Sequence, residues 1–189
     1  MQADFPVILD ACVLAPPRLS DLLFRLAEHP RLYLPKWTSC IMDEVKRTQI
    51  NKLKPPFPED LADYWRQQVT FSFPEAMISG YEHLISSMTN EEDDRHVLAA
   101  AVHDKVETIV TFNMKHFNPE HVTKPWNIQV QHPQDFLIDL YWLNRSVVTG
   151  KLTLMSQDKG ESIQETLKQF SKRLPVFADR VLEDMGLKT

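Results

Sequence analysis

Asn90 to Asn113, NEEDDRHVLAAAVHDKVETIVTFN, is the stretch whose reading decides the fold. It opens on a clump of acids and runs through an apolar segment at Ala99, Ala100 and Ala101. It then turns polar from His103 to Lys105 and closes on the β-branched run Thr108 to Thr111. That order predicts a helix followed directly by a strand. Asp94, Val97, Leu98 and Ala101 fall at i, i+3, i+4 and i+7, which puts Asp94 on the inward face of the helix. An unpaired carboxylate buried there costs on the order of several kcal/mol, so it calls for a cation, a hydrogen-bonding cage or a raised pKa. A plainer role is open to its neighbours: Thr89 and Glu92 fit a capping box, and Asp93 suits the positive end of the helix dipole.

Working outward, the same alternation recurs on both sides. Pro6 to Leu9 reads as a buried strand with Asp10 at its carboxyl end, the edge at which open α/β sheets bind ligands. A turn residue satisfying its own backbone is the competing role for Asp10. Leu19 to Glu28 carries a helical stripe, Leu32 to Leu34 a brief strand, and Thr38 or Ser39 opens a helix through about Gln49. On that helix Ile41, Met42 and Val45 face the core, Glu44 sits on the flank and Asp43 points further away. Glu59 to about Gln68 is a helix with Leu61, Ala62 and Trp65 on one side, and Met77 to Ser86 is ambiguous between helix and strand. Ile128 to Val130 is a further strand and Pro133 to Leu143 a helix. Strands alternating with helices on short connections imply a parallel sheet covered on both faces. From about Asn144 the character changes. Gly150 and Gly160 bracket a polar segment, and Ser162 to Met185 gives one or two amphipathic helices interrupted at Pro175. The expected division is 1–143 for the α/β domain and 144–189 for a C-terminal helical extension.

At 189 residues, with 43% hydrophobic and 25% charged residues, the chain can bury a real core and is not disordered. No apolar run reaches membrane-spanning length and no signal-peptide pattern opens it, so a cytoplasmic protein is expected. Two cysteines, Cys12 and Cys40, supply neither a disulfide framework nor a zinc motif. A net charge of -5 argues against a protein that coats nucleic acid, yet it leaves room for a nuclease whose carboxylates hold metal ions beside a local basic groove.

Asp10, Glu44 and Asp94 come from three distant elements, each near the ligand-binding end of the sheet. With Asn113 they would gather three carboxylates and an amide into one pocket. Like charges at a few ångströms repel, and the natural occupant is a hard divalent cation with oxygen ligands, Mg2+ or Mn2+. Here the sequence resembles the PIN-domain ribonucleases, especially the VapC toxin branch. The matching text is VILDACVLAPP, IMDEV, DDRHVLAAAV and IVTFNMKHF, in order and at family-like spacing over roughly residues 5 to 140. The resemblance implies a three-layer α/β/α fold with parallel strand order 3-2-1-4-5, and metal-assisted hydrolysis of RNA leaving 5′-phosphate and 3′-hydroxyl ends. It carries the first, second and third acids onto Asp10, Glu44 and Asp94. Asn113 stands where many members have a fourth carboxylate, and Cys12 where they often have Asn or Ser. A neutral Asn113 weakens any second metal, so one firmly held ion is expected.

The cations expected to touch phosphate are Arg95, Lys115 and His116 near the third and fourth motifs, Arg18, and the run Lys46, Arg47, Lys52 and Lys54 at the end of the second helix, whose plainer role is a solvated face. By resemblance the partners are an RNA substrate and a cognate antitoxin covering the cleft; the C-terminal helices offer a surface for that antitoxin or for a homodimer, with extra packing on the sheet as their plainer role, and no membrane is involved. Two other readings compete. A catalytically weakened PIN domain would serve as an RNA- or protein-binding module, and a phosphatase of another α/β family would use Asp10 as nucleophile, although Cys12 occupies the place where that chemistry wants a second acid.

Overall fold

In the computed structural model, which describes residues 3–187, a parallel sheet forms the middle layer. The chain enters through β1 (Pro6–Leu9), turns through the short α1 (Ala11–Leu14) and continues into α2 (Pro17–Ala27). Next come β2 (Leu34–Thr38), α3 (Ser39–Asn51), α4 (Glu59–Ser72) and the two-residue β3 (Met77–Ile78). The second half runs through α5 (Arg95–His103), β4 (Thr108–Val110), α6 (Thr123–Trp126), β5 (Gln129–Gln131) and α7 (Pro133–Leu143). It ends in α8 (Arg145–Asp158), α9 (Ile163–Ser171) and α10 (Pro175–Asp184). All strand pairs are parallel and the order is β3-β2-β1-β4-β5, the order the resemblance implies.

The central strands are short apolar runs because helices cover both their faces. Val7, Ile8 and Leu9 are fully buried, as are Ile109 and Val110 beside them. Three elements differ from expectation, each for a local reason. The strand anticipated at Leu32 to Leu34 lies at Leu34–Thr38. Leu32 N–H bonds back to Leu26 O at the end of α2, and the buried Tyr33 donates its hydroxyl to Leu23 O, so both residues close off that helix before the ladder begins. Pro35 explains why β3 is so short. Backbone donors alternate sides along a strand, and Pro35 has none to offer on the side where Trp37 N–H reaches Ala76 O. Pairing with β3 therefore starts only at Trp37.

The polar segment bracketed by glycines is the helix α8. Asn144 caps it by accepting from Val147 N–H, and Val148, Leu152 and Met155 form a buried stripe. Gly150 faces open space, and its cost of about 1 kcal/mol is offset by that burial. α8 packs on α2, and α10 on α7, so Leu152, Phe170 and Phe177 join the same hydrophobic core as the sheet. Pro175 starts α10 at its first turn, where a missing N–H costs nothing, and Ser162 with Glu165 forms a capping box on α9. On α4 the buried side is Ala62 and Val69, while Leu61 is exposed. Among the described residues no helix is long and apolar enough to cross a membrane.

Candidate active site

Asp10 follows β1 directly and caps α1, and this local geometry fixes its carboxylate. Its Oδ1 accepts from Ala11 N–H at 2.6 Å. Its Oδ2 accepts from the Thr111 hydroxyl at 2.6 Å and from the Cys12 thiol at 3.0 Å. Thr111 stands just past β4, the neighbour of β1, and its hydroxyl oxygen also accepts Asn113 N–H at 2.9 Å. Asp10 is thus held rigidly and aligned with Asn113 through one shared hydroxyl. Cys12 remains a thiol: burial, reinforced by the adjacent Asp10, pushes its pKa up to about 12. Its hydrogen is the one donated to the acid beside it.

Asp94 ends a single 3-10 turn, Glu92–Asp94, at the start of α5, and is buried. His116, in a second such turn at Met114–His116, bonds its Nδ1 to Asp94 Oδ2 at 2.6 Å. A carboxylate can only accept, so Nδ1 carries the proton. Burial raises the Asp94 pKa and the His116 bond pulls it back. The anticipated capping box does not form: Thr89 Oγ1 bonds His121 Nδ1 at 2.9 Å, and Asp94 itself occupies the cap position of α5.

Asp10, Glu44, Asp94 and Asn113 line one cleft of about 880 Å3 at the carboxyl edge of the sheet, and Asp93 joins them. Arg47, Lys52 and Arg173 supply its positive side. Glu44 is held loosely, with Arg47 Nη2 at 3.7 Å and His96 Nε2 at 3.2 Å from Oε1. Asp43 is turned away and pairs with Arg66.

Of the cations expected at phosphate, Arg47 and Lys52 line this cleft. Lys46 is committed to Glu59 and Asp63 on α4, at 3.0 and 2.7 Å. Arg95 donates its Nε to the backbone oxygen of Asn90, Lys115 is exposed outside the cleft, and Arg18 is clamped in a two-pronged pair with Glu161. His116 positions Asp94 instead. Two participants were missed in the sequence. Thr111 reads there only as a strand residue, although a hydroxyl two positions before Asn113 is the pattern that gives it away. Arg173 lies between α9 and α10 and stacks over the Phe112 ring at 4.3 Å, a placement that no local pattern announces.

The donor set suits a hard cation: carboxylate oxygens and an amide line the cleft, while the Cys12 thiol is engaged with Asp10 and His116 lies off the lining. Asp10, Glu44 and Asp94 do not gather as tightly as a closed ligand shell. Among the described residues, the group of three His, Cys, Asp or Glu side chains whose ligand atoms all lie within 4.8 Å of one another is Cys40, Glu44 and His96. Wider spacing suits Mg2+, which keeps several of its waters and takes only one or two carboxylates directly.

Sheet order and helical layers define the architecture as a PIN-like α/β/α domain. Over 64 residues the chain is 53% identical to the protein named "Putative ribonuclease VapC50" of Mycobacterium tuberculosis; the match covers 34% of this chain and 37% of that one. The aligned part thus spans little more than a third of the curated relative. Fold and match agree: the domain is PIN-like, and its matched third is VapC-like. No family model and no solved structure matches the chain.

Proposed function

We propose that this chain is a metal-dependent ribonuclease that hydrolyses RNA phosphodiester bonds, and the toxin of a toxin–antitoxin pair. The observation that carries this reading is the convergence of Asp10, Glu44 and Asp94, from three separate elements, on one cleft at the carboxyl edge of a parallel sheet. Its relative's printed name supports the substrate class. Asp10 and Asp94 are the residues that would hold Mg2+ or Mn2+, with Glu44 and Asn113 at its periphery. When bound, such an ion neutralises charge growing on the scissile phosphate and acidifies a water.

The chain's own residues do the rest. Thr111 and Cys12 keep Asp10 from swinging away, and His116 does the same for Asp94. Arg47, Lys52 and Arg173 face the acids across the cleft and are placed to receive flanking phosphates. Single-stranded RNA or an RNA loop suits the site, because an unpaired strand exposes a phosphodiester to a carboxylate-lined cleft. An antitoxin would silence the enzyme by covering this cleft with a basic segment, and a homodimer is a further assembly that the VapC-like character suggests.

Incubating the pure chain with single-stranded RNA and Mg2+ or Mn2+ tests the reading, with Asp94→Asn as control. Cleavage that leaves 5′-phosphates, needs the ion and disappears in the control is the expected result. Equal cleavage by both proteins, or none by either, removes the assignment and favours a binding module.

A further inference from the structure

Cys40 and Glu44 lie four residues apart on α3, and so share a helix face. His96, the second residue of α5, points at the same place. The sulfur, a carboxylate oxygen and an imidazole nitrogen lie within 4.8 Å of one another. His96 is more than nine-tenths buried, at 8% exposure, and neither of its ring nitrogens has a hydrogen-bond partner. Its Nε2 lies 3.2 Å from Glu44 Oε1, but out of alignment for a hydrogen bond. A buried imidazole with both nitrogens idle carries an unmet desolvation cost of about 1–3 kcal/mol per polar atom. Folded proteins rarely leave such a group orphaned without a ligand to satisfy it.

We infer that Cys40, Glu44 and His96 form a site for a borderline divalent cation of the Zn2+ class, separate from the hard-ion position between Asp10 and Asp94. Thiolate, imidazole and carboxylate together are the donor set of zinc, and three protein ligands leave a fourth position open. Burial pushes the Cys40 thiol up, yet a coordinating cation deprotonates a thiol outright. Glu44 borders both sites, so occupation of this one draws its carboxylate toward α5 and out of the cleft.

Co2+ is the probe, because its bond to a thiolate gives a charge-transfer absorption that carboxylate-bound Co2+ lacks. Titrating the full chain under reducing conditions should develop this band to saturation at one ion per chain. Zn2+ should bleach it and excess Mg2+ should not. Cys40→Ser should abolish the band and Cys12→Ser should keep it. His96→Gln should weaken binding by at least the roughly 10–100-fold that lesser changes around metal sites cause. Circular dichroism on each variant confirms that the fold is retained. No band in the parent chain, a band surviving Cys40→Ser, one lost in Cys12→Ser, or one displaced by Mg2+ would overturn the inference. Because the readout is spectroscopic, its failure is separable from a failure to cleave RNA.

Discussion

Asp10 and Glu44 border the same cleft and live in opposite surroundings. Asp10 sits at a strand end with both oxygens bonded, by Ala11 N–H on one side and by Thr111 and Cys12 on the other. Glu44 rides the flank of a helix, 29% exposed, with a distant arginine, an unaligned histidine and the Cys40 sulfur near it and, among the described residues, no hydrogen bond to fix it. Bonded on all sides, the first acid is built into the framework and cannot adapt. The second is free to move and can answer to more than one ligand. The contrast shows that one cleft can pair a fixed acid with an adjustable one, and it predicts that stability and activity respond differently at the two positions.

The largest effect is expected at the fixed acid. Asp10→Asn should lower the RNA cleavage rate at least about a thousandfold, since an ion-held carboxylate is worth several kcal/mol and each 1.36 kcal/mol is tenfold. It should also lower the unfolding free energy by about 1–3 kcal/mol, because an amide N–H would face donors. Glu44→Gln should slow cleavage while moving unfolding by less than about 0.5 kcal/mol. Urea denaturation beside initial rates measures both, and equal stability losses would erase the contrast.

Thr111→Val tests whether Asp10 is held from β4. Removing the hydroxyl strips a donor from the Asp10 carboxylate and an acceptor from Asn113 N–H, and should cost about 1–3 kcal/mol in urea unfolding. Loss of less than the error of measurement would mean that the clamp is incidental.

Asp94→Asn separates stability from function through pH. Burial raises the folded pKa of Asp94 above its ordinary value of 3.8, so the native state binds its proton more tightly than the unfolded chain does. The resulting contribution favours folding in acid and is lost as pH rises through the raised pKa. The variant should therefore be more stable than the parent at neutral pH, with the gap narrowing as pH falls through the raised pKa and levelling off once pH reaches about 4, while cleavage is lost. A variant less stable at neutral pH would show that the bond to His116 outweighs burial.

The smallest effect is expected at Arg173. Arg173→Ala should weaken RNA binding evenly across sequences and reduce the salt slope by about one unit, with at most about 1 kcal/mol lost from its stacking on Phe112. Fluorescence anisotropy over a salt series measures this, and an unchanged slope would place Arg173 off the RNA path.

Much of the fold was legible because its strands are short apolar runs and its helices carry clear stripes. Asp94 betrayed itself by sitting in such a stripe. What was hidden depended on partners remote in sequence. Lys46 looked like a phosphate contact until α4 placed Glu59 and Asp63 against it, and Arg18 until Glu161 arrived from the other end of the chain. The strand of β2 was misplaced by two residues because Leu32 and Tyr33 are as apolar as a strand demands, and only their bonds to α2 reveal otherwise. Gly150 suggested a break because spacing alone cannot show that it faces open space.

The protonated sulfur beside Asp10 bears on how this cleft meets reactive molecules. With its pKa pushed up to about 12 by burial and the neighbouring Asp10 carboxylate, Cys12 keeps its hydrogen at physiological pH and serves the cleft as a donor to Asp10. Oxidants and electrophiles, which attack thiolates, also find little to react with there. Chemical selectivity in this protein thus begins with a proton that stays put.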